Sequence, residues 1–119
     1  MLTTPASLPA ASPRSFTQPL EEIIGEIAAG AAVALARALH EFQTDELSFE
    51  TKMRAGDWIA RLFELRLCAG QTDFYAVARA RGARLLQERY GRDVNARTIA
   101  VLIDAVIESL QEVVRSELN

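Results

Sequence analysis

Lysine, histidine and cysteine are almost missing from this chain, which holds one of each, Lys52, His40 and Cys68. A single cysteine excludes an intramolecular disulfide and a thiolate metal cluster. It suits a reducing compartment, so a cytoplasmic protein is expected. A single histidine leaves a nucleophilic triad only one base to use. His40 falls on the polar face of a predicted helix near its end, where a cation complements the helix dipole. No uninterrupted run approaches the ~18 apolar residues of a bilayer span. The N-terminus has no basic start followed by an apolar stretch, as a secretory signal would. No membrane partner is therefore expected. The sequence also lacks a Gly-rich phosphate loop and the Glu-x-x-His pairs of a di-iron bundle. These gaps leave no metal, no cofactor and no catalytic residues to nominate, and the expectation is a protein that is not an enzyme.

Basic residues are almost all arginine, and the formal net charge is -3. That balance argues against broad binding to a phosphate backbone, which needs a basic surface.

What the chain has in quantity is apolar residues, half of the total, arranged at helical spacing. Residues 1–16, with Pro5, Pro9 and Pro13 among Ser, Thr and Ala, read as a flexible tail with little to bury. Residues 17–119 read as one helical domain, and no alternating strand pattern competes. Four helices are predicted. The first covers about 18–42, capped by Thr17 or Gln18 with Pro19 in its first turn. Its centre, Gly25 to Ala34, is nearly all small residues, which permits close helix approach. The second covers about 45–69, with Thr44, Asp45 or Ser48 as cap and Gly70 as stop. The third covers about 73–90 between Thr72 and Gly91, and the fourth about 95–118 behind Asn95 or Asp93. Short connections make sequence neighbours antiparallel, so the fold class expected is an all-α antiparallel four-helix bundle behind the tail.

The second helix carries the most unusual pattern. Its polar strip is narrow, with the acid-first pairs Glu50–Arg54 and Asp57–Arg61. Its apolar arc is wide, about 200° on a helical wheel. Trp58 and Leu65 lie on one edge of that arc, Phe49 and Leu67 on the other, and Arg66 projects into its middle. A surface helix needs only about 100° of apolar face. The surplus points to a protein-binding surface built from Trp58, Leu62, Leu65 and Arg66 together with the fourth helix. The partners expected are a second copy of the chain, forming a homodimer, and another protein. The function expected is non-enzymatic assembly, as an adaptor, small chaperone or regulator.

The alternative reading starts at Leu85. Within Leu85 to Leu110, LLQERYG, RDVN and ARTIAVLI resemble the helix, turn and helix of transposase-type DNA-binding domains. That resemblance implies nucleic-acid contacts from Arg92, Arg97 and Thr98, with Arg79, Arg81, Arg84 and Arg89 adding positive charge. Asp104, Glu108 and Glu112 on the would-be recognition helix oppose it. Glu21, Glu22 and Glu26 resemble the acidic helix of MazG-like nucleotide pyrophosphohydrolases. That family also needs a Glu-x-x-Asp pair, whereas Glu41 and Asp45 are four apart.

Overall fold

The computed structural model describes residues 13–45, 48–69 and 73–118, with side chains from residue 19 onward. Four α-helices fill these segments: α1 (Pro13–Gln43), α2 (Phe49–Ala69), α3 (Phe74–Tyr90) and α4 (Ala96–Leu118). The chain is all-α, and its helices pack with antiparallel neighbours. Of the tail expected at residues 1–16, residues 1–12 lie outside the described residues, as do Leu47, Gly70 and Thr72, and residues 13–16 are helical where a tail was expected. α1 is already helical at Pro13, ahead of the start expected near residue 18. Pro19 consequently sits inside α1, where it removes one backbone donor.

Local chemistry sets the helix ends. Ser48 caps α2: its Oγ accepts from the Thr51 amide at 3.1 Å. Asp73 caps α3 and accepts from the Ala76 amide at 3.4 Å. Asn95 caps α4, accepting from the Thr98 amide at 2.8 Å. Asp45 takes a left-handed conformation (φ 63°) that turns the chain out of α1, a conformation Asp tolerates better than most side chains. Gly91 ends α3 with right-handed dihedrals, its amide donating to Gln87 O at 2.9 Å.

α1 is the central stave and packs against all three other helices. Its buried face is largely alanine, Ala28, Ala29, Ala31 and Ala32, with Ile24. Small side chains let α1 and α3 approach closely, although alternate staves of a bundle run in the same direction. A Cβ on Gly25 would lie 2.5 Å from Arg81 Cβ, and one on Gly82 would lie 3.1 Å from Ala28 Cβ. Two cross-helix ion pairs, Glu21–Arg81 and Glu26–Arg89, climb α1 and α3 together. α4 closes the core from the other side with Ile99, Ile103, Val106, Ile107 and Leu110. α2 contributes Leu62, fully buried, and lays Trp58 against Gly30, where a Cβ would meet the indole ring at 2.6 Å.

α1 is also long and apolar enough, over Pro19–Gln43, to cross a membrane by length and composition. Glu21, Glu22, Glu26 and Arg37 interrupt this stretch, so it holds no unbroken apolar run of spanning length. In the bundle Ile24, Ala28, Ala29, Ala31 and Ala32 of this helix are buried, while Ile23, Val33, Leu39 and Phe42 stay exposed.

Candidate functional site

α2 has two apolar faces, and its own chain covers only one. The inner face holds Thr51, Ala55, Trp58, Leu62 and Ala69 toward the bundle. Leu62 is a core residue with no surface to offer, which corrects its expected place in a binding surface. Trp58 and Leu65 are half-buried against the core, and Arg61 lies over the indole at 4.9 Å from its centroid. Arg66, also half-buried, donates from Nε to the Tyr75 hydroxyl at 3.0 Å and lies 5.6 Å from that ring's centroid. A phenol, and not a carboxylate, thus satisfies the guanidinium that the wheel placed inside the apolar arc. The Trp58 edge of the arc is sheltered by the chain itself.

The other edge is open. Phe49 is 76 % exposed, Leu67 55 % and Met53 50 %. Between them Gly56 and Ala60 are exposed, and Phe63 is half-buried. These six residues are spaced 4-3-4-3-4 along the helix. At 100° per residue they lie within about 40° of one line down the outer face. Spacing of this kind is the narrow seam of a coiled coil. The acid-first pairs expected beside it do not form among the described residues, and Glu50, Asp57 and Glu64 stand exposed along one flank of the seam. Leu39 and Phe42, in the last turns of α1, add exposed apolar side chains at the end where α1 turns into α2.

That turn is held by a small polar clasp. Glu41 Oε1 accepts from Thr51 Oγ1 at 2.8 Å and from the Ser48 amide at 3.2 Å. The Thr51 hydrogen bond, then the Ser48 amide, lowers the Glu41 pKa below the ordinary carboxylate value. Thr51 is the only polar residue buried in the core among the described residues. Its role had a faint signal in the sequence, a Ser-x-x-Thr start to an amphipathic helix.

The helix-turn-helix residues are in a different setting. Arg92, Arg97 and Thr98 are exposed at and just after the α3–α4 turn. The arginines meant to support them are engaged by acids: Arg79 with Asp104, Arg81 with Glu21, Arg84 with Glu88 and Arg89 with Glu26. Glu26 holds Arg89 above its already high ordinary pKa. The positive stripe read from α3 is therefore largely neutralised. The same pairs occupy Glu21 and Glu26, and no cluster of three metal-ligating side chains occurs among the described residues. His40 is exposed in the last turn of α1, and Cys68 is an exposed free thiol.

Compared with known family patterns, curated proteins and solved structures, the chain matches none.

Proposed function

We propose that this protein is a non-enzymatic assembly module that works as a homodimer through the outward face of α2. The observation that carries this reading is the exposed seam from Phe49 to Leu67. Water-exposed Phe, Met and Leu at coiled-coil spacing cost solubility and gain nothing for the isolated chain. Covering such a seam is the ordinary way helices associate. An adaptor or regulator of this kind needs no cofactor, and its further partner would be another protein docking on the assembled pair. The lone thiol at Cys68 suits work in a reducing, cytoplasmic setting.

Light scattering at tens of micromolar tests the reading. A mass near twice 13.1 kDa is expected, falling to the monomer value in Leu67→Asp. A monomer at every concentration would defeat it. The helix-turn-helix alternative has less behind it, since the α3 arginines are spent on acids. It would regain ground if duplex DNA were retarded at low salt and Arg97→Ala abolished the shift.

A further inference from the structure

We infer that two copies of α2 pair parallel and in register, with the Gly56 layers face to face and Lys52 of each copy against Asp57 of the partner subunit. This rests on the self-association reading and specifies its geometry.

Two observations carry it. The first is Gly56. Each of the other described glycines in a helix interior is explained by a neighbour inside this chain. A Cβ would come within 2.5 Å of Arg81 at Gly25, 2.6 Å of Trp58 at Gly30 and 2.9 Å of Ile103 at Gly82. At Gly56 it would meet nothing within 4 Å. Glycine in an exposed helix interior weakens the helix and here allows no contact that the chain itself makes. It sits in the middle of the seam, one turn before Ala60. There a missing side chain lets a second backbone come close, while the exposed Phe49, Met53 and Leu67 close the ends and Phe63 stays packed against its own core.

The second observation is the charge on the two flanks. One flank carries Glu50, Asp57 and Glu64, all acidic and exposed. The other carries the exposed Lys52, with Ile59 half-buried against the core and Arg66 half-buried on Tyr75 of its own chain. The flanking charges of a helix pair set its orientation. In a parallel pair, the basic flank of each helix faces the acidic flank of the other. Lys52 then meets Asp57 of the partner subunit, and symmetry makes that contact twice. In an antiparallel pair, like flanks meet. Glu50 would face the partner's Glu64, Asp57 the partner's Asp57, and Lys52 would approach the partner's Arg66, a guanidinium already bonded to Tyr75 of its own chain. Every one of those contacts repels. The lone lysine of the chain thus stands at a position that selects between the two orientations.

Charge reversal and a single cysteine test the register. Lys52→Glu and Asp57→Lys, singly, should each weaken the dimer about three- to tenfold by sedimentation. Combined, they should restore it to within about twofold, because the pair is re-formed with its signs exchanged. Leu67→Cys in a Cys68→Ser background should close a disulfide between copies on mild oxidation. In the antiparallel arrangement those positions lie about 27 Å apart along the axis. A dimer that forms no such disulfide, or that Lys52→Glu tightens, overturns the parallel register but leaves self-association standing. A monomer overturns both. Helicity by circular dichroism confirms that each variant is folded before its mass is read.

Discussion

Glycine has opposite consequences at different places in this molecule, because what matters is the neighbour a methyl would meet. Gly30 and Gly25 sit under an indole ring and another helix, so Gly30→Ala and Gly25→Ala should destabilise the fold. The cost is that of overpacking, about 1 to 3 kcal/mol, visible as a lower urea midpoint. Gly56→Ala should do the reverse for a single copy, raising stability by about 0.5 to 1 kcal/mol through helix propensity alone. The three substitutions are chemically identical, and only packing separates Gly56→Ala from the other two. Leu62→Ala should cost about 2 to 5 kcal/mol, as for any fully buried leucine. The sequence made Gly25 to Ala34 legible as a close-packing stretch. It gave no means of telling which glycine met a neighbour, since that depends on contacts between helices far apart in the chain.

Among the elements, α2 depends most on its first turn. Ser48 caps it, and Glu41 reaches across from α1 to hold Ser48 and Thr51 together. Ser48→Ala should cost about 1 kcal/mol, read from thermal or urea unfolding. The clasp is also pH-dependent. Because the folded state lowers the Glu41 pKa, it binds this proton less readily than the unfolded chain does. The resulting stability is complete above the ordinary glutamate value, about 4.3, and is lost as pH falls through the depressed folded value. Comparing Glu41→Gln with the parent across pH 3 to 7 should show a stability gap that is constant at the upper end and shrinks at the lower. A gap independent of pH would mean that Glu41 holds the turn by shape and not by charge. The four helices were readable from periodicity, and Ser48 was among the caps weighed. The clasp was not, because Glu41 and Thr51 belong to different predicted elements and come together only once the intervening turn has formed. The wide arc of α2 was also plain in the sequence, but the wheel could not say which edge the bundle would cover. Trp58 went inward because Gly30 left room for it, and that left the Phe49–Leu67 edge outside.

For the whole molecule, the absence of a lasting partner for that edge should show as aggregation. Leu67→Asp should therefore both dissociate the assembly and raise the concentration at which the protein stays clear, measured by turbidity after mild heating. α1 precedes the three helices that pack against it. The closest supports of α1 come from α3, and the ion pairs joining them span 60 and 63 residues of chain. A ribosome adding about 5 to 20 residues per second takes roughly 3 to 12 s to lay down such an interval. Throughout that time the face of α1 that α3 will cover is already synthesised and still bare. The same alanine-and-isoleucine surface that knits the finished bundle is thus, in the nascent chain, an open invitation to whatever cellular factor meets it first.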